Sequence, residues 1–190
     1  MLVLPSSTFA FARREAGGKG FNLYRMAQLG LPVPPFSVLG ARYFQRHLEL
    51  TGLGARIQSL IADYQSDQVT AEQVETSVRE WLAETPLADE ILAALRQAYE
   101  TVGIDEVISV RSSAADEDSA AHSFAGQLSS FLYVRGLEEA SVSLRACWAS
   151  GYSARGLSYR KERKLPLTAV RVSVVVQRMI DPDASGVMFT

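Results

Sequence analysis

Apolar residues recur at helical spacing through much of the first half of this chain. Along residues 19–29, Phe21, Leu23, Tyr24 and Met26 form one apolar face, and Gly30 supplies a C-terminal stop. Pro32, Pro34 and Pro35 force an extended connection into a short strand candidate, Phe36 to Leu39. A helix from Ala41 to Leu50 follows, ended by Thr51 and Gly52. Thr70 and Gln73 have capping-box spacing ahead of Val74, Val78, Trp81 and Leu82, which share a face. Thr85 followed by Pro86 reads as an N-cap with proline at the first helical position. Leu87, Ile91, Leu92 and Leu95 make the next stripe, which Gly103 ends. Residues 51–104 are therefore expected to be a helical cap or insert, with Trp81 in its core.

From Glu106 the period becomes two. Val107, Ser109 and Arg111 share one face of a strand, and Ile108 and Val110 the other. Ser129 to Val134 is a second strand candidate, closed by Gly136. Leu137, Leu144 and Trp148 mark a long helix running towards Tyr152, and residues 154–164 form a basic helical stretch. Val170 to Gln177 is the clearest strand: Val170, Val172, Val174 and Val176 face one way, and Arg171, Ser173, Val175 and Gln177 the other. A turn at Ser185 and Gly186 leads into a last strand, Val187 to Thr190. Helices followed by strands mixed with helices predict an α+β fold.

Composition adds few constraints. The 190 residues, 47% hydrophobic and 21% charged, suffice for one domain or two small lobes. A net charge of -2 supplies no basic footprint for nucleic acid. The single cysteine, Cys147, excludes an internal disulfide and a thiolate zinc cluster, and reads as a small buried hydrophobe. Neither a signal peptide nor an apolar run near the roughly 18 residues of a membrane helix stands out, so a cytoplasmic location is expected.

Candidate chemistry lies in three segments. Gly17, Gly18, Lys19 and Gly20 sit at a helix start, where free N–H groups and the helix dipole favour an anion. The spacing is not that of a P-loop, and a flexible turn with a solvated lysine is the competing reading. Arg111 enters a loop rich in small and hydroxyl residues, ahead of Gly126 and Ser130; its donor fork suits a polyphosphate, and an ion-paired strand-end arginine is the alternative. Gln177, Arg178, Met179 and Ile180 end the valine strand. Asp116, Glu117 and Asp118 are either hard-cation ligands or a solvated acidic loop. Arg42 lies near such a site or makes a surface salt bridge.

Taken in order, these segments resemble the nucleotide-binding domain of the phosphoenolpyruvate synthase and pyruvate phosphate dikinase family, which rifampicin phosphotransferases and glucan-water dikinases share. The residues that carry the resemblance are the Gly17–Gly20 run, the stretch from Val107 to Gln127 and the stretch from Val172 to Thr190; the match is weakest over residues 51–104.

The resemblance implies an ATP-grasp-like fold over residues 1–190. It would comprise the first lobe with its helical insert, the chain ending where a second lobe would begin. It implies ATP as ligand, with Lys19 and Arg111 on the phosphates and Gly17, Gly18, Gly126 and Ser130 lining the cradle. The family usually has threonine where Ser130 stands. Gln177 and Met179 would lie at a hinge receiving adenine. Magnesium carboxylates are expected in the second lobe, so no metal ligand is assigned here. The phosphorylated histidine of the family sits on a separate swivelling domain in a Thr-x-x-His context that neither His47 nor His122 shares; both are read as non-catalytic.

Two functions follow. One is the ATP-binding part of a phosphotransferase that phosphorylates a histidine and then an acceptor, with pyruvate first and an antibiotic or a glucan as alternatives. The other is a free-standing nucleotide-binding module without chemistry of its own. The coding sequence beyond Thr190 discriminates between them.

Overall fold

The computed structural model describes residues 2–103, 106–114, 129–168 and 170–186, together with the backbone at 118–119 and 122–123. In chain order the elements are α1 (Phe9–Glu15), α2 (Gly17–Gln28), β1 (Phe36–Leu39), α3 (Ala41–Thr51), α4 (Leu53–Gln65), α5 (Ala71–Glu84) and α6 (Asp89–Val102). Then come β2 (Ile108–Ala114), β3 (Asp118–Ser119), β4 (His122–Ser123), β5 (Ser130–Val134), α7 (Gly136–Ala149), a 3-10 turn (Ser150–Tyr152), α8 (Ala154–Glu162) and β6 (Val172–Arg178). The fold is α+β, as the pattern predicted. The expected strand at Val187–Thr190 lies outside the described residues.

An antiparallel sheet of order β1-β6-β2-β5 forms the scaffold, and β3 pairs with β4 as a separate two-stranded hairpin. The central strand β6 pairs with β2 from Ile108↔Arg178 to Ala114↔Val172, and with β1 from Phe36↔Gln177 to Leu39↔Val174. Side chains alternate across the pleat, so this register sorts the residues of all three strands onto two faces. Val172, Val174 and Val176 lie with Val110, Ile108 and Leu39 in the larger core. Val175 lies with Phe36 and Val38 in a smaller core under α1 and α2, which also contains Ala12, Ala16 and Tyr24. Helices α4 to α6 join the larger core directly: Ile57, Ile61, Val74, Val78, Leu82, Ile91 and Leu95 share one cluster with Val110, Val174 and Trp148.

Local signals explain most element ends. Gly52, with φ of 72°, closes α3 in the left-handed conformation. The capping box of α5 is complete: Gln73 N–H donates to Thr70 Oγ1 at 3.3 Å, and Thr70 N–H donates to Gln73 Oε1 at 2.7 Å. The expected N-cap at Thr85 is not used. Thr85 instead ends α5, donating its N–H to the Trp81 carbonyl at 3.0 Å, while its own carbonyl accepts from Arg145 at 3.1 Å. Helix α6 therefore starts at Asp89, where Asp89 and Glu90 complement the helix dipole. In α2 the buried positions are Gly20 and Tyr24, one turn apart, whereas Met26 is 37% exposed. Helix α1, which the apolar spacing left unpredicted, is capped by Thr8 Oγ1 accepting from Phe11 N–H at 3.4 Å.

Candidate functional site

The glycine-rich run opens α2 and sits against the end of β2. Gly17 has φ of +67°, and a Cβ there would meet the Ser113 carbonyl oxygen at 2.3 Å. Only glycine satisfies both the positive φ and that approach. At Gly20 a Cβ would lie 3.1 Å from Val38 Cγ2, so a second glycine lets the helix settle on β1. Ser113 Oγ donates to the Ala16 carbonyl at 2.8 Å and accepts from Gly20 N–H at 3.1 Å. Lys19 is half-buried, and its Nζ donates to the Ser112 carbonyl at 3.3 Å. The lysine is thus folded back onto the strand that carries Arg111, which is not the solvated tail of the competing reading.

Arg111 and Ser130 are brought together. They are directly opposite partners between β2 and β5, which places their Cβ atoms about 5 Å apart on one face. On its other side Arg111 is opposite Val175. The layer formed by α1 and α2 buries Phe36 and Val38 of β1 and Val175 of β6. Among the described residues, that cluster takes no member from β2 or β5. The face therefore remains a strip bordered by α2, with Arg111 half-buried and Ser130 exposed. Gly126 lies outside the described residues.

The hinge segment differs from expectation at Gln177. Gln177 was expected to leave its face free to border a cleft. It is instead 7% exposed, with Nε2 donating to the Pro34 carbonyl at 3.4 Å and its own carbonyl accepting from Ser109 Oγ at 3.4 Å. The proline-rich connection into β1 folds over this end of the sheet and uses the amide. Strand pairing continues beyond Gln177: Arg178 N–H donates to the Pro35 carbonyl at 3.0 Å and Met179 N–H to the Val107 carbonyl at 2.8 Å. Met179 is half-buried and Ile180 is exposed, so the segment leaves the sheet only after Met179. From the Gln177–Ser109 pair to the Ser173–Ser113 pair the strands run four residues, about 13 Å. Arg111 lies midway.

Glu15, which sequence reasoning missed, is a buried carboxylate directly ahead of the glycine run. Its Oε1 accepts from Arg14 Nε at 3.0 Å and from an Arg42 terminal nitrogen at 3.3 Å. Burial works to raise its pKa, but the two guanidiniums outweigh that and hold it below the usual carboxylate value. Arg42 thus makes the salt bridge that was one of its two readings. Ser173 Oγ donates to the Glu15 carbonyl at 2.7 Å and ties the same turn to β6. These hydroxyl contacts join segments 93 to 158 residues apart, and no local pattern announces such partners.

The remaining candidates fall away from the strip. Burial pushes the Cys147 thiol up to about 12, so it carries no thiolate at neutral pH. His47 is fully buried and stacked on Trp148 at 5.3 Å between centroids. Burial first, and then Arg145, push its pKa down to about 4. Trp81 packs against the larger core with the Arg56 guanidinium 4.2 Å from its ring centroid. Asp116, Glu117 and the side chains of Asp118 and His122 lie outside the described residues. Among the described residues, no group of three or more His, Cys, Asp or Glu side chains can hold a metal ion, and no helix is long and apolar enough to cross a membrane.

The family described as pyruvate phosphate dikinase, AMP/ATP-binding domain, matches residues 13–190. A probable phosphoenolpyruvate synthase of Methanothermobacter thermautotrophicus is 35% identical over 181 residues, covering 92% of this chain and 26% of its own length. The phosphoenolpyruvate synthase of Escherichia coli is 34% identical over 186 residues, covering 93% of this chain and 24% of its own. A rifampicin phosphotransferase of a Streptomyces species is 35% identical over 178 residues, covering 93% and 21%. The chain spans about a quarter or less of the length of these relatives. The match covers nearly the whole of this chain, and the glycine turn, Lys19 and Arg111 all lie within the matched residues, so the chain belongs to the pyruvate phosphate dikinase AMP/ATP-binding domain family.

Proposed function

We propose that this chain is the nucleotide-holding part of a longer phosphotransferase, and that the strip between α2 and β5 holds the phosphates of ATP. The observation that supports this most is that Lys19 of α2 reaches the Ser112 carbonyl of β2, next to Arg111 on that strand, beside a glycine turn with backbone donors. Among the described residues, the N–H groups of Gly17 and Gly18 meet no protein partner, because the helix start cannot satisfy its own first donors. Lys19 adds a compact charge and Arg111 a planar donor fork beside the Ser130 hydroxyl. Gly126 would complete the cradle through close backbone approach. Adenine would then lie towards Gln177 and Met179, with recognition falling to the backbone beyond Met179 and to the Met179 side chain, since the Gln177 amide is already used.

In this reading the fold is the first lobe of an ATP-grasp-like domain spanning residues 1–190, and a second lobe closes over the strip. Magnesium would be held by carboxylates of that lobe. The parent enzyme would pass the β-phosphoryl of ATP to a histidine on a swivelling domain, leaving AMP and inorganic phosphate, and then to an acceptor in the cytoplasm. Lys19 and Arg111 would neutralise charge building on the transferring phosphates. Pyruvate is the first acceptor to test, because phosphoenolpyruvate synthases are prominent among the relatives; rifampicin is the second.

The test is calorimetric titration of ATP and of AMP into the wild-type chain and into Lys19→Ala and Arg111→Ala. Each substitution is expected to weaken ATP binding by about 1–3 kcal/mol, the loss of charge-assisted hydrogen bonds, and to leave AMP binding nearly unchanged. Equal losses for ATP and AMP would remove both residues from the phosphates.

A further inference from the structure

The start of α2 lacks a cap of its own. Its N-cap position is Ala16, which offers no side-chain oxygen to the first turn. Ser, Thr, Asp or Asn ordinarily stands there, because one of the four orphan N–H groups needs an acceptor. Here a strand 93 residues further along the chain bridges the first intrahelical step instead: Ser113 Oγ accepts from the Gly20 N–H and donates to the Ala16 carbonyl that this N–H would otherwise meet. Ser113 is fully buried, and its carbonyl lies where a Cβ on Gly17 would be. The neighbouring carbonyl, that of Ser112, receives Lys19 Nζ. Ser113 also shares a strand face with Arg111, two residues before it.

We infer that Ser113 is a positioning residue for nucleotide phosphates, acting as a cap supplied in trans that fixes the Gly17–Lys19 turn relative to Arg111. The inference rests on the phosphate assignment proposed above. The reasoning is geometric. A phosphate cradle works only if its donors are held to a fraction of an ångström, and here the donors come from two segments with no covalent or helical link between them. A cap inside α2 would stabilise the helix and leave its distance from β2 free. The Ser113 hydroxyl does both at once: it takes up the Gly20 donor, leaving the Gly17 and Gly18 N–H groups for an anion, and ties that turn to the strand carrying Arg111. Ser173, whose hydroxyl binds the Glu15 carbonyl, anchors the same region to β6 but touches neither the first turn of α2 nor β2 through that bond. It is therefore a natural control for a contribution to folding alone.

The experiment measures affinities for ATP and AMP by calorimetry, with thermal melts, on the wild-type chain and on Ser113→Ala, Ser113→Thr and Ser173→Ala. Ser113→Ala is expected to lose about tenfold in ATP affinity and less than about twofold in AMP affinity, since one hydrogen bond's worth of positioning acts on the phosphates only. Ser173→Ala is expected to lower the melting temperature and keep the ratio of ATP to AMP affinity. Ser113→Thr, which retains the hydroxyl, is expected to keep that ratio within about twofold of wild type, and it decides the matter if the alanine variant fails to fold. A ratio unchanged in Ser113→Ala, changed equally in Ser173→Ala, or collapsed in a folded Ser113→Thr would overturn the inference. Lys19→Ala and Arg111→Ala, measured alongside, separate the two proposals: if they lower the ratio and Ser113→Ala does not, the phosphate site stands and the cap does not.

Discussion

Among the described residues, neither ring nitrogen of His47 has a hydrogen-bond partner, and the indole N–H of Trp148, on which the histidine stacks, has none either. Burying an imidazole this way favours its neutral form, and Arg145 adds repulsion, which is why the pKa falls from 6.5 to about 4. The sign of the consequence follows from linkage. The unfolded chain binds a proton at His47 below pH 6.5, and the folded chain refuses it until about pH 4. Stability from the neutral ring is therefore fully present above pH 6.5, declines as pH falls, and is lost once pH passes about 4, a total of about 3 kcal/mol. Denaturant titrations between these limits are expected to show that decline, and His47→Phe, which keeps the stacking, is expected to flatten it. An unchanged slope in the variant would assign the decline elsewhere; Glu15, whose pKa is held below 4.5, acts further into acid. At this scale the sequence was informative about side-chain type and silent about partners. The non-catalytic reading of His47 and the buried reading of Cys147 needed only an apolar helix face. The bonds from Ser113 and Ser173, and the two arginines on Glu15, needed the fold.

At the scale of elements, legibility followed how local the deciding interaction is. The boundaries of β1 and α3 and the capping box of α5 were readable, because proline, glycine and a Thr–Gln pair act within a few residues. The start of α6 was misplaced, because Arg145, sixty residues on, holds the Thr85 carbonyl. The valine alternation of β6 was readable, but the cover over its second face was not: β6 is a central strand, and α1 and α2 bury Val175 on the face that also carries Gln177. That cover shifts the proposed adenine contact from the Gln177 side chain to the chain after Met179. Adenine presents a donor at its amino group where guanine presents an acceptor, so a fixed carbonyl in that segment would be paired by one base and left unpaired by the other. An unpaired buried polar group costs about 1–3 kcal/mol. In the longer enzyme, competition between ATP and GTP is therefore expected to favour ATP by about tenfold or more. Replacing Met179 by tryptophan should reduce ATP and AMP binding together. Equal affinity for ATP and GTP would place the base elsewhere.

For the whole molecule, the deciding feature is that the proposed phosphate strip is open to solvent at Arg111 and Ser130. Arg111 is only half-buried and Ser130 is exposed, so charges placed here interact through water. Attraction between unit charges at 4 Å falls from about 4 kcal/mol near a protein surface to about 1 kcal/mol in bulk water. An open strip should therefore bind ATP weakly and with strong salt dependence, and it should catalyse nothing. Raising ionic strength from about 0.1 to 1 M, which shortens the screening length from about 10 to about 3 Å, is expected to lower the affinity of this chain for ATP severalfold and that for AMP much less. Incubation with ATP labelled at the β-phosphorus is expected to yield no acid-labile phosphoprotein, because His47 is sealed in the core beside Trp148 and, in the proposed reading, the acceptor histidine would belong to a separate swivelling domain. Joining this chain to the other segments of a relative, about three-quarters of that relative's length, is expected to tighten ATP binding, reduce its salt dependence and produce the phosphohistidine. A phosphohistidine formed at His122 or His47 of this chain alone would show that it carries its own acceptor, and the division of labour proposed here would have to be abandoned.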